Sequence, residues 1–148
     1  PAPAPAATTP SGAGAAGAAA VMRDAADALS EALGDWVGAT NARDIARQMD
    51  FYMPRLEAFY LARDVPRAFV RAEKARAFAS ADLIDIRAAE PEIIFRDSGR
   101  TAVMRFRKQY RIEGRGRARR GEVVQELRWR RTPQGWKITS ERDIRVIR

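Results

Sequence analysis

From about Ala19 the apolar positions follow a helical period. Val21, Met22, Ala25, Leu29, Ala32, Leu33, Trp36 and Val37 form one stripe, and Asp24, Asp27, Glu31 and Asp35 lie mostly opposite it. A second helix is expected after Asn41 as N-cap, with Asp44 in its first turn and Ile45, Met49 and Tyr52 on its apolar side, ending at Pro54. The segment Arg55 to Tyr60 reads as a short strand or an extended crossover. A third helix is expected from an Asp64 N-cap to about Ala79, with Pro66 in its first turn. Phe69, Ala72, Arg76 and Phe78 would face inward, and Arg71, Glu73 and Lys74 outward.

After Ser80 the period changes from 3.6 to 2. Strands are predicted at Leu83–Ile86 with Glu92–Phe95, at Arg100–Ile112, at Glu122–Arg131 and at Trp136–Ile147. Asp97-Ser98-Gly99 and Pro133-Gln134-Gly135 supply turns, and 114–121 a Gly/Arg connection. Alternation puts Ala102, Met104, Phe106, Lys108, Tyr110 and Ile112 on one face, and Val123, Gln125, Leu127 and Trp129 on the same face of the next strand. In the last strand it groups Trp136, Ile138, Ser140, Arg142, Ile144 and Val146 inward and Glu141 and Asp143 outward. Helices followed by an antiparallel meander make an α+β fold, three N-terminal helices packed on one face of a curved sheet.

Residues 1–18 read differently. Pro, Ala, Gly and Thr without charge or large side chains cannot bury enough surface to offset ordering entropy, so a disordered linker is expected there, ahead of one domain at 19–148. A chain that opens on such a linker, and on Pro, is expected to be part of a longer protein with another module upstream. No run of 18 apolar residues is present, so no membrane-spanning helix is expected.

The 148 residues contain no Cys and no His. Thiol nucleophiles, Cys/His zinc sites and Ser-His-Asp triads are therefore excluded, and no metal or cofactor is expected. The 27 Lys+Arg exceed the 19 Asp+Glu, and the excess lies in the sheet half, where residues 99–148 hold 16 basic and 5 acidic side chains.

The string Ala32-Leu33-Gly34-Asp35-Trp36, then Asp44-Ile45, Tyr52 and Phe59-Tyr60, resembles the helical half of the nuclear transport factor 2-like (SnoaL-like) superfamily. Ala102 to Tyr110, Glu126-Leu127, and Trp136-Lys137-Ile138 with Glu141 resemble its sheet. In particular the chain is similar to the accessory domain at the C-terminal end of envelope proteins, behind L,D-transpeptidase or repeat modules. There the sheet reads F-x-Q-x-Y, then K/E-x-L, then W-K-I-x-x-E, and Lys108 stands where Gln is usual. The resemblance covers about residues 25–147. It implies a cone of three helices on a strongly bent antiparallel sheet with a pocket inside. It further implies a homodimer through the sheet, other modules in a parent chain, and a place at the cell envelope or periplasm; the composition alone also suits the cytoplasm.

The superfamily holds isomerases, dehydratases and non-catalytic binding domains. Its catalytic members use an Asp or His base with a Tyr or Asp acid, and nothing here matches such a base residue by residue. The expectation is a non-catalytic accessory domain that binds a small ligand or a protein partner. Trp36, Tyr52, Tyr60, Phe106, Tyr110 and Trp129 would wall the pocket, and Lys108, Gln125 and Arg142 would supply polar contacts to a small anionic or apolar molecule. An alternative is an isomerase or hydro-lyase with Asp50 as base. A third reading is a polyanion-binding face of Arg105, Arg107, Arg111, Arg128 and Arg130. Nucleic acid is not the expected partner, because the aromatics alternate onto the opposite face.

Overall fold

The Ala-rich segment before Val21 is already helical. In the computed structural model, which describes residues 12–147, the first helix, α1, runs Gly12–Asn41. It starts seven residues earlier than the periodicity indicates, because Ala is the best helix former and outweighs the scattered glycines. The rest of the expected linker, 1–11, lies outside the described residues. The buried stripe of α1 begins at Ala25 and continues through Leu29, Leu33, Trp36 and Ala39.

Helix α2 (Ile45–Met49) is capped by Asp44, whose side chain accepts from the Arg47 amide, and not by Asn41. Asn41 has a different task. Its side-chain amide accepts from Ile86 N–H at 2.7 Å and donates to Ile86 C=O at 3.0 Å, which pins the end of α1 to the sheet. Strands β1 (Arg55–Phe59) and β2 (Ala62–Pro66) form a hairpin. Asp64 sits in β2 on Arg55, so the N-cap of α3 (Arg67–Ser80) is Pro66.

The remaining strands are β3 (Leu83–Arg96), β4 (Thr101–Gly114), β5 (Arg117–Thr132) and β6 (Gly135–Val146). The six strands make one sheet in the order β2-β1-β6-β5-β4-β3, antiparallel except where β1 runs parallel to β6. The expected α+β architecture is what the chain adopts. The Gly/Arg connection at 114–121 shrinks to Arg115-Gly116, both at positive φ as a tight two-residue hairpin turn requires. Arg117, Arg119 and Arg120 therefore belong to β5.

Two β-bulges decide what the last strand points inward. Trp129 pairs with Ile138 but Arg128 pairs with Ser140, so Thr139 is an extra residue in β6; Ile144 is a second, between the Gln125–Asp143 and Val124–Arg145 pairs. Each extra residue reverses the alternation. Ile138 keeps its inward place, Glu141 and Asp143 join the inner face, and Ser140 and Arg142 turn to the outer one. This reverses the expectation for all four.

Helix α3 is also rotated from its expected setting. Its buried positions are Val70 and Phe78, with Lys74 between them on the same stripe, while Phe69 is 39% exposed and Arg76 pairs with Glu73 outside. The main core joins Leu29, Leu33 and Trp36 to Leu56, Met104, Leu127 and Ile138, and a smaller cluster of Phe78, Ala81, Ile84 and Ile86 flanks it.

Candidate ligand cavity

Between the helices and the inner sheet face lies a cavity of about 280 Å³. Trp36 and Thr40 of α1 form one wall, Glu73, Lys74, Ala77 and Phe78 of α3 another, and Ile84, Ile86, Lys108 and Ile112 of β3 and β4 a third. Phe59 and Tyr60 close the end nearest β6. Apolar walls with few convergent polar groups are what small-ligand sites have in common.

The floor is a continuous polar network. Tyr52 donates its hydroxyl to Glu141 Oε1 and accepts from Trp36 Nε1 at 3.1 Å and Gln48 Nε2 at 3.5 Å. Lys74 Nζ donates to the other Glu141 oxygen at 2.8 Å and sits 5.1 Å from the Trp36 ring centre, 5.8 Å from Phe59 and 5.9 Å from Tyr52. Glu141 is fully buried, so its charge is held by these donors and not by water.

Lys108 Nζ lies 3.5 Å from Asp143 Oδ1 and 6.0 Å from the Tyr60 ring centre. Tyr60 has φ of 53°, a left-handed setting that is rare for a bulky side chain, and its N–H bonds Glu141 C=O at 2.7 Å. That backbone setting holds the ring edge-on to Phe59, with the hydroxyl at 3.1 Å from the Gln125 Nε2 donor. The Gln125 Oε1 acceptor is buried and has no partner among the described residues.

The electrostatics follow from this burial. Both tyrosine hydroxyls are pushed well above the ordinary phenol range, first by burial and then by Glu141, with Asp143 adding to Tyr60. Burial would raise the Glu141 carboxyl, but the Lys74 charge, the hydrogen bonds from Lys74 and Tyr52, and Lys108 together hold it below the usual carboxylate range. Burial lowers Lys108, and its attraction to Asp143 and Glu141 only partly offsets that. The tyrosines are thus held as neutral hydroxyl donors and Glu141 as a carboxylate.

Of the residues singled out from sequence, Trp36, Tyr60 and Lys108 line the cavity, while Tyr52 and Gln125 build its floor. Phe106 and Trp129 are core, and Tyr110 packs on the smaller cluster. Arg142 is on the opposite face of the sheet, 3.1 Å from Glu126. Asp50 is exposed as the C-cap of α2, where its backbone N–H donates to Arg47 C=O at 3.3 Å and its backbone carbonyl accepts from Lys137 Nζ at 2.6 Å. Sequence reasoning turned Lys74, Glu141 and Asp143 outward. The spacing Val70, Lys74, Phe78 was the available signal for the first, and the W-K-I-x-x-E resemblance marked Glu141 without its direction; the inward setting of Glu141 and Asp143 depends on the bulge at Thr139.

Most of the outer arginine row is engaged by carboxylates. Glu126, fully buried on that face, takes Arg105 at 3.0 Å, Arg128 at 2.9 Å and Arg142 at 3.1 Å. Burial pushes its carboxyl up, and these three guanidinium hydrogen bonds more than reverse that. Arg107 pairs with Glu122 and Arg111 with Glu113, while Arg130 is exposed between Thr101 and Lys137 on the neighbouring strands.

No family model and no curated protein sequence matches the chain. Solved structures do. A protein of Streptomyces avermitilis, described as a candidate dehydratase of the nuclear transport factor 2-like family, aligns over 85% of this chain and 99% of its own, with a TM-score of 0.74 and 17% identity. A candidate aromatic ring hydroxylase of Novosphingobium aromaticivorans aligns over 86% and 92%, with a TM-score of 0.76 and 20% identity. A protein of Bdellovibrio bacteriovorus aligns over 79% of this chain but 40% of its own length, with a TM-score of 0.64 and 17% identity. At these identities the likeness concerns architecture: the chain has the α+β fold of nuclear transport factor 2-like, cystatin-like proteins.

Proposed function

We propose that this domain is a non-catalytic binding module whose cavity takes a small, largely apolar molecule with no net charge. One observation carries the reading: the cavity floor is charge-balanced. The lining ammonium groups are already engaged, Lys74 by Glu141 and Lys108 by Asp143, and Glu73 adds a carboxylate to the lining, so a carboxylate ligand would meet as much repulsion as attraction. An uncharged ligand would enter the apolar walls without disturbing these ion pairs and at little cost in desolvation. The isomerase reading loses its base, because Asp50 does not reach the cavity.

The wider setting is proposed on weaker support. The sheet pattern resembles envelope accessory domains, and the fold occupies 40% of the longer Bdellovibrio chain, so we read the domain as one module of an envelope-associated protein. A dimer through the outer sheet face would cover Ile94 and Ile144, which are 56% and 39% exposed.

A thermal-shift panel of neutral aromatic amides and alcohols against matched carboxylates tests the function. Salt-insensitive shifts from the neutral compounds, lost on Ala77→Trp within the cavity, support it. Stronger shifts from the carboxylates overturn it.

A further inference from the structure

The sheet-face arginines around Glu126, Glu122 and Glu113 share carboxylates, whereas a compact run at the end of the β4–β5 hairpin does not. Arg115, Arg117, Arg119 and Arg120, within six residues at the far end of the β4–β5 hairpin, hold no carboxylate among the described residues. Glu113, on the facing strand, is held by Arg111 Nε at 2.9 Å, and Arg120 turns to a separate groove that Asp85 and Glu122 also line. Three of these arginines line one groove of about 590 Å³ with Ser80, Ile112 and Gly114, and no acidic side chain lines it.

The groove is held in shape by the fold. Arg115 and Gly116 make the two-residue turn at φ of 55° and 72°. Gly114 passes so close to the Ser80 carbonyl that a Cβ there would collide with it, so the ribbon is seated against the C-terminal end of α3. Arg117 and Arg119 are two positions apart in a strand and share a side, so their Cα atoms stand about 6.5 Å apart. That interval suits a chain of single anions at a regular, extended spacing. A phosphodiester polymer with six bonds between successive phosphorus atoms has this repeat, whether its backbone is a nucleic acid or a poly(glycerol phosphate). Guanidinium groups bind phosphate oxygens bidentately, and the regular interval between charges, not the guanidinium itself, is what distinguishes this chemistry from a carboxylate surface.

We propose that the end of the β4–β5 hairpin is a binding site for the backbone of a phosphodiester polyanion, separate from the cavity and from the paired sheet face. Three phosphate contacts to a flexible strand predict a log–log salt slope near −2, or about a 20-fold loss of affinity between 50 and 200 mM salt.

The experiment titrates the full chain with oligothymidylate, with poly(glycerol phosphate) of equal phosphate number and with polyglutamate. The triple variant Arg115→Gln, Arg117→Gln, Arg119→Gln and the control Arg105→Gln, Arg107→Gln are compared; all these side chains are exposed, and circular dichroism checks the fold. Comparable binding of both phosphodiester chains, at least tenfold weaker in the triple variant and changed less than twofold in the control, supports the proposal. Binding of the oligonucleotide alone overturns it, since bases and not the backbone would then be read. Equal binding of polyglutamate, or a loss in the control as large as in the triple variant, overturns it as well.

Discussion

Tyr52 and Glu141, 89 residues apart, share a hydrogen bond that joins the end of the helical half to the last strand beneath the cavity. The same tyrosine oxygen accepts from Trp36, and the same carboxylate accepts from Lys74, so one residue pair ties α1, α3 and β6 together. A contact of this kind is sensitive to the loss of either partner, because each leaves the other buried without its complement.

Glu141→Gln should therefore destabilise the domain by about 3 kcal/mol, since it strands the Lys74 ammonium without its counter-ion. The pH dependence has a definite sign. The folded pKa of Glu141 lies below its unfolded value, so its contribution is fully present above about pH 4.3 and lost as pH falls through the folded pKa. Urea midpoints from pH 7 to pH 3 should drop more steeply for wild type than for the Gln variant.

Tyr52→Phe removes the donor to Glu141 and the acceptor for Trp36 Nε1 while keeping the ring. The expected cost is about 1–3 kcal/mol, read as a lower urea midpoint at unchanged m-value. Affinity for a cavity ligand should change little, because this hydroxyl lies beneath the cavity wall.

Lys108→Met should leave stability within about 1 kcal/mol of wild type, or raise it, even though the contact with Asp143 is lost. Burial disfavours the Lys108 charge, so its folded pKa is below its unfolded value. Between those two values the unfolded chain binds more protons, and stability rises with pH. Wild type should gain on the Met variant as the pH is raised through the folded pKa of Lys108, and equal slopes in Tm against pH would contradict this.

Glu126→Gln tests the other carboxylate. Three guanidinium groups that now share one buried charge would face each other without it, and their partial exposure limits the cost to about 1–2 kcal/mol. The loss should shrink in high salt, which screens the arginines.

Gly114→Ala would place a methyl group against the Ser80 carbonyl and force the hairpin off α3. A Tm decrease corresponding to about 1–3 kcal/mol is expected. Gly34→Ala, where the space is open and the helical backbone favours Ala, should instead be neutral or stabilising.

The amphipathic stripe of α1, the change of period after Ser80 and the alternation along β4 were enough to determine three helices on an antiparallel sheet, and to put Trp36, Tyr60 and Lys108 on its inner side. Those features are local, because each residue's partner lies a fixed number of positions away along the same element. The site's charge was not local. Period-2 counting assigns Glu141 and Asp143 outward and Arg142 inward; the extra residue at Thr139 reverses all three, and the one at Ile144 restores the original phase for Val146. Nothing in the identity of Thr139 or Ile144 marks a bulge. Its place is set by which hydrogen-bonding register lets β5 and β6 pair along their whole length while Trp129 and Ile138 stay buried together, and only the assembled sheet fixes that register.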